Sequence, residues 1–149
     1  MLERTLAIFK PDAVAAGRAG AILARLEEEG FVVRGLKRLQ LTEGQARAFY
    51  EVHRERPFFE GLVRFMTEGP VVVAALERED AVAHLRKTMG ATDSRKAEVG
   101  TIRNLHGTDI ERNAIHGSDS VENAAREVGF FFSGAELVLG TGIHESRPL

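Results

Sequence analysis

Apolar residues recur along this chain in two rhythms, and each rhythm predicts a different kind of element. Thr5 to Phe9 is a short apolar run with β character, stopped by Lys10-Pro11-Asp12. Proline is tolerated in a first helical turn and an acidic residue is favoured there, so Lys10 is expected at a strand's end, where the chain leaves the sheet. From Gly17 to Gly30 the spacing predicts an amphipathic helix, with Ile22, Leu23 and Leu26 facing inward and Gly30 as its stop. Phe31 to Leu41 follows as a strand, with Leu39 and Leu41 alternating around Gln40. Thr42 and Gln45 form a capping-box pattern that opens a helix running through Tyr50. Arg54 to Arg56 and then Pro57-Phe58-Phe59 interrupt this helical region, which resumes through Leu62, Val63, Phe65 and Met66.

Val71 to Leu76 is an unbroken apolar run, the pattern of a central strand. Asp80 is expected to cap a helix that carries Val82, Leu85 and Met89 inward and ends at Gly90. Residues 90 to 112 are polar, glycine-punctuated and weakly periodic; so long a connection in one domain is usually a functional or interaction element. The apolar pair Ala114-Ile115 then leads to His116, to Gly117, where a sharp turn is expected, and to Ser118-Asp119-Ser120. Asp119, with Glu122 three residues on, is expected to cap a helix whose stripe is Val121, Ala124, Ala125 and Val128. The order of strands and helices predicts an α+β fold of ferredoxin-like type, a four-stranded antiparallel sheet covered by helices, formed by one domain over residues 1–149. There is no internal repeat, and the tail after Phe132 is expected to lie irregularly over the surface or another subunit.

Composition narrows the function classes. The 149 residues carry 20 Lys plus Arg against 22 Asp plus Glu, a formal charge of -2, so no global field argues for nucleic acid or an anionic membrane as partner. The absence of cysteine excludes disulfides, thiol catalysis and thiolate metal sites. The five histidines show no metal-binding pair at i,i+4 spacing. With no basic leader before a long apolar run and no segment of membrane-spanning length, a cytoplasmic protein is expected.

The candidate chemistry centres on His116. An imidazole at a strand-to-helix turn sits where unpaired N–H groups and the helix dipole favour anions. Glu127 lies about two turns into the helix. From there its carboxylate can reach back, hold one ring nitrogen and leave the other free. Taken alone, His116 reads more readily as a polar residue ending a strand. Lys10 is likewise either a solvated flank or a point charge for phosphate. Adjacent aromatics cannot both face the same way on a helix, so Phe58 and Phe59 are either both core or interface, or one is a stacking platform for a flat ring.

Six blocks resolve these alternatives. Thr-Leu-Ala-Ile-Phe-Lys-Pro-Asp at 5 to 12, Arg-Pro-Phe-Phe at 56 to 59, Gly-Pro-Val-Val-Val at 69 to 73, Met-Gly-Ala-Thr at 89 to 92, Gly-Thr-Ile-Arg at 100 to 103 and Asn-Ala-Ile-His-Gly-Ser-Asp-Ser at 113 to 120 stand in that order over nearly the whole chain. Together they resemble the nucleoside diphosphate kinase family. The resemblance implies ping-pong transfer of a γ-phosphate from a nucleoside triphosphate, typically ATP, to a nucleoside diphosphate through a phosphohistidine. It implies His116 as nucleophile, Glu127 and Ser118 as orienting residues, and Tyr50 beside them. Lys10, Arg86, Thr92, Arg103 and Asn113 would bind phosphates and sugar, and Phe58 would stack on the base. Magnesium (Mg2+) would arrive on the nucleotide's phosphates, with no metal ligand supplied by the protein. The assembly implied is a homo-oligomer, tetramer or hexamer.

Residue chemistry fits that implication. Phosphoryl transfer needs positioning and neutralisation of oxygen charge, and one lysine with two arginines from a strand end, a helix and a loop can surround a polyphosphate. No Gly-x-x-x-x-Gly-Lys-Ser/Thr loop is present, so a P-loop mechanism is excluded. Stacking on Phe58 alone would tolerate any base, which predicts broad nucleotide specificity. Two stretches depart from the family pattern. Asn104-Leu105-His106 stands where Gly-Asp-Phe is common, in a loop that helps build subunit contacts in the family, and Leu137 to Leu149 departs from the family pattern. A regulatory module that has lost catalysis would lack the histidine, a cation or the carboxylate, and none is missing. A nucleic-acid-binding protein would need a basic stripe, and a phosphocarrier without a nucleotide site would not need Lys10, Arg86 and Arg103.

Overall fold

The computed structural model describes residues 1–138. Its frame is a four-stranded sheet made of β1 (Leu2–Phe9), β2 (Val32–Leu39), β3 (Val71–Glu79) and β4 (Ile115–Gly117), in the order β2-β3-β1-β4. Every neighbouring pair is antiparallel. The helices are α1 (Pro11–Ala15), α2 (Ala19–Glu28), α3 (Glu43–Phe49), α4 (Phe59–Met66), α5 (Ala81–Met89), α6 (Ile102–His106) and α7 (Val121–Phe131). This is the expected ferredoxin-like arrangement, with helices on both faces of the sheet.

The period of two along β1 explains why both faces are covered. Leu6 and Ile8 point into one apolar cluster with Val71, Val73, Phe49, Phe65 and Val128. Ala7 and Phe9 point into the other, with Val72, Ala74, Ile22, Leu26 and Leu85. The unbroken apolar run of β3 is therefore a strand buried on both sides. In β2 the pairing slips between Val33 and Gly35, leaving Arg34 as a bulge.

Several local expectations are corrected. The helix expected from Gly17 to Gly30 is the single helix α2, trimmed to Ala19–Glu28; the short α1 that Pro11 opens was not expected, and Gly17, at φ +74°, separates the two. Thr42 and Gln45 do form a reciprocal capping box on α3. Asp80 does not cap α5 with its side chain; it is left-handed at φ 50°, and Glu3 Oε1 accepts the Val82 N–H instead. On α7 the cap is Ser120, whose Oγ accepts the Asn123 N–H at 3.0 Å, while Asp119 Oδ1 accepts from the Asn123 side chain at 2.6 Å. The long connection holds α6 and a short 3-10 turn at Ser94–Lys96. The expectation for the tail reaches residues 139–149, outside those described. Before them, Leu137 and Phe132 lie against Gly35, and Val138 N donates to Arg34 O at 3.0 Å.

Candidate active site

β4 is only three residues long, yet it fixes the nucleophile candidate. Its register pairs His116 with Ile8 and Ile115 with Phe9, so the imidazole emerges on the Ile8 face, toward α3 and α7. One residue further along β1's path, Lys10 N donates to Ala114 O at 2.8 Å. Lys10 and His116 thus leave adjacent strands at one end of the sheet. Gly117 has a different reason from the turn expected of it. It lies inside β4, and a Cβ there would meet Met89 Sδ at 2.6 Å and Leu85 Cδ2 at 2.9 Å, so it is the close approach of α5 that requires glycine. The turn lies before the histidine. Ala114 has φ 73°, and Ile115 N donates back to Asn113 O at 2.8 Å, closing a three-residue turn of the rare hand. Such a backbone costs about 1–3 kcal/mol and persists only where its surroundings hold it.

Glu127 reaches back along α7 to the imidazole, its Oε1 lying 2.8 Å from His116 Nε2. The same oxygen accepts from Ser118 Oγ at 2.8 Å, and Leu6 N donates to that hydroxyl at 3.3 Å. Ser118 is fully buried and touches the carboxylate, not the ring. Burial would raise the Glu127 carboxyl, but the hydrogen bond and charge of His116, the Ser118 hydroxyl and nearby Arg126 together hold it below the usual range. An ionised carboxylate at Nε2 leaves Nδ1 without a partner among the described residues. Phe49 and Tyr50 meet the imidazole edge-on, with ring centroids 5.5 and 6.2 Å away. The Tyr50 hydroxyl is buried with no partner among the described residues, and burial pushes its pKa upward.

His116 forms part of the wall of a cleft of about 620 Å³, a size that suits a small organic ligand. Lys10, Arg86 and Arg103 enter it from three elements. Burial and the neighbouring Arg103 push the Lys10 ammonium down to about 8, and its Nζ donates to Asn113 Oδ1 at 2.8 Å. Asn113 is fixed in turn, its Nδ2 donating to Thr92 O at 2.9 Å and Ile110 O at 3.1 Å. Arg103 is also buried; its Nη1 donates to Gly90 O at 3.1 Å and its Nη2 to Ile115 O at 2.8 Å. Its Nε has no partner among the described residues, and burial with Arg86 nearby lowers its pKa to about 10. Arg86 is exposed in the last turn of α5, with Nη1 3.5 Å from Gly117 O. Thr92 also contributes to the wall, and Phe58 lines the cleft at 53% exposure while Phe59 is buried in the core.

Nine of the ten expected site residues therefore share this cleft, and Ser118 stands behind Glu127. Sequence reasoning missed Asp12, whose Oδ2 accepts the Ala114 N–H at 3.1 Å. It also missed Arg126, preceding Glu127, and His53, one turn after Tyr50; both line the cleft. Among the described residues no group of three or more His, Asp or Glu side chains is placed to hold a metal ion.

A family model described as nucleoside diphosphate kinase matches residues 3–137. The chain is 58% identical over 136 residues to the nucleoside diphosphate kinase of Acidiphilium cryptum, covering 91% of this chain and 97% of that one. It is 56% identical to that of Sorangium cellulosum, covering 91% and 94%. A crystal structure of the Aquifex aeolicus nucleoside diphosphate kinase superposes with a TM-score of 0.91 at 52% identity, covering 93% of this chain and all of that one. The Halobacterium salinarum nucleoside diphosphate kinase in complex with CDP gives 0.90 at 42% identity, covering 95% of each.

Proposed function

The chain belongs to the nucleoside diphosphate kinase family and carries its activity, transfer of the γ-phosphate of a nucleoside triphosphate to a nucleoside diphosphate; from that premise we propose how its residues do it. The carrying observation is the 2.8 Å contact of Glu127 with His116 Nε2 inside a cleft that three cations enter. Glu127 holds the proton on Nε2, so Nδ1 presents its lone pair. Nδ1 attacks the γ-phosphorus, an Nδ1–P bond forms, the bond to the bridging oxygen breaks, and the nucleoside diphosphate leaves with that oxygen. A terminal phosphate oxygen of the second diphosphate then attacks the phosphohistidine and frees the imidazole. In both halves Glu127 stabilises the cationic ring by charge, and Ser118 keeps the carboxylate in place.

Lys10, Arg86 and the free Nε of Arg103 neutralise the phosphate oxygens, while Asn113 and Thr92 bind phosphate or sugar. Tyr50 walls the imidazole and excludes water. Stacking on the half-exposed Phe58 supports broad base specificity. The cationic donor set suits magnesium bound to the incoming polyphosphate better than a metal resident in the protein. When bound, that ion withdraws charge from the phosphate oxygens.

The same proposal has one domain over the whole chain, working in the cytoplasm; no helix among the described residues is long and apolar enough to cross a membrane. It includes a homo-oligomer, tetramer or hexamer, supported by exposed Leu36 on β2 and by Val99 and Leu105 in the long connection. Light scattering on the purified protein reads the assembly directly, and a monomer would remove that part.

Incubation with γ-labelled ATP and magnesium tests the chemistry. The expected label is acid-labile, alkali-stable, discharged by GDP and absent from His116→Ala. Label that survives in His116→Ala would overturn the nucleophile assignment.

A further inference from the structure

Ala114 is completely buried, and its left-handed backbone is gripped from two sides by the segment that follows β1. Lys10 N donates to its carbonyl at 2.8 Å, and Asp12 Oδ2 accepts its N–H at 3.1 Å. Asp12 itself lies in the first turn of α1, behind Pro11, whose ring fixes the backbone there. The turn at Ala114 separates two groups that must meet the same phosphate chain. On one side Asn113 is bonded to Lys10 Nζ; on the other, His116 sits in register with Ile8. Without an acceptor, the Ala114 N–H would be a buried unmet donor, and alanine would relax toward negative φ. That relaxation would rotate the Asn113 peptide relative to β4.

We propose that Asp12 is a positioning residue for phosphoryl transfer: by accepting the Ala114 N–H it locks the strained turn that sets Asn113 and Lys10 against His116. The proposal rests on the assignment of His116 as nucleophile and of Lys10 and Asn113 as phosphate or sugar ligands. It assigns Asp12 no contact with substrate.

The experiment compares Asp12→Ala, Asp12→Asn and the double variant Asp12→Ala/Ala114→Gly with the parent, each normalised to folded protein. Asp12→Ala is expected to slow phosphoenzyme formation by about 10- to 100-fold, the range by which misplaced reacting groups slow a step, with a smaller rise in KM. Asp12→Asn keeps an acceptor oxygen and is expected to retain most of the rate. In the double variant glycine adopts φ 73° without strain, so at least about a tenfold recovery is expected. A parental transfer rate in Asp12→Ala, however unstable the variant, overturns the proposal. So does Asp12→Asn as slow as Asp12→Ala, or no recovery with glycine. Exchange of the Ala114 amide, slow in the parent and Asp12→Asn but fast in Asp12→Ala, judges the lock even if the parent carries no label on His116. That last result would fell the nucleophile assignment instead.

Discussion

Glu127 Oε1 stands 2.8 Å from His116 Nε2, and this contact spans the junction between β4 and α7. Because Ser118 donates to the same oxygen, the carboxylate is aimed by a residue that never touches the ring. Glu127→Gln should keep an oxygen near Nε2 but remove its charge. Transfer should slow by about a hundredfold, as loss of one preorganised electrostatic partner does, with KM nearly unchanged. Pre-steady-state labelling reads the step directly. A rise in KM at parental kcat would make Glu127 a binding residue.

Nucleotide affinity should depend on pH through Lys10. Burial, then Arg103, bring its pKa down to about 8, so the free site loses a positive charge as pH rises through that value. KM should rise about tenfold between pH 7 and 9 if the charged form alone binds. Lys10→Gln should raise KM and flatten the profile; a parent profile that is flat to pH 9 would deny the ammonium its role. Stability runs the opposite way. The folded value lies below the unfolded one, so holding the charged form costs stability below pH 8, and that cost is relieved as pH rises toward 10.5.

The two cleft arginines should separate in a melting experiment. Arg103 holds the carbonyls of Gly90 and Ile115 in a buried setting, and leaving such groups unmet costs about 1–3 kcal/mol. Arg103→Ala should therefore lower Tm by roughly 2–10 °C in a chain of this size, as well as weaken nucleotide binding. Arg86→Ala should weaken binding with Tm almost unmoved, since Arg86 is exposed. Equal Tm losses would mean that Arg86 also supports the fold.

Gly117→Ala should harm both stability and rate. The added methyl would press on Leu85 Cδ2 at 2.9 Å and Met89 Sδ at 2.6 Å, and over-packing of this kind costs about 1–3 kcal/mol. Relief by shifting β4 moves His116, its neighbour. Restored Tm and rate in Gly117→Ala/Met89→Ala would show that the pressure on α5 is the cause.

What the sequence disclosed follows the range of each interaction. The apolar runs of β1 and β3 and the Thr42-Gln45 box are local patterns, and each element lies where its pattern put it. Ser118, Asp119 and Ser120 offer similar capping chemistry in succession, so only the 3.0 Å bond from Asn123 N identifies Ser120. Gly117 had no local sign of its purpose, because the atoms that forbid a side chain there belong to α5. Ala114 had none either, since alanine is an ordinary residue for a strand and nothing in its type announces a left-handed backbone. Much of the cleft's membership was legible because the motif blocks carry Lys10, Phe58, Thr92, Arg103, Asn113 and His116, whereas Tyr50, Arg86 and Glu127 lie between or beyond those blocks. Asp12's carboxylate, read only as favourable to a helix start, gave no hint of its partner 102 positions away.

Consider, finally, the ladder that pairs Ile8 with His116. The imidazole is bolted to the sheet, whereas Phe58, the proposed platform for the base, lines the cleft with its ring half-exposed. The molecule is in this sense a fixed anvil with a forgiving wall. Remodelling around Phe58 should retune which nucleotides are captured while the intrinsic speed of the chemical step stays nearly constant, making discrimination among bases the trait most open to change by drift or by engineering.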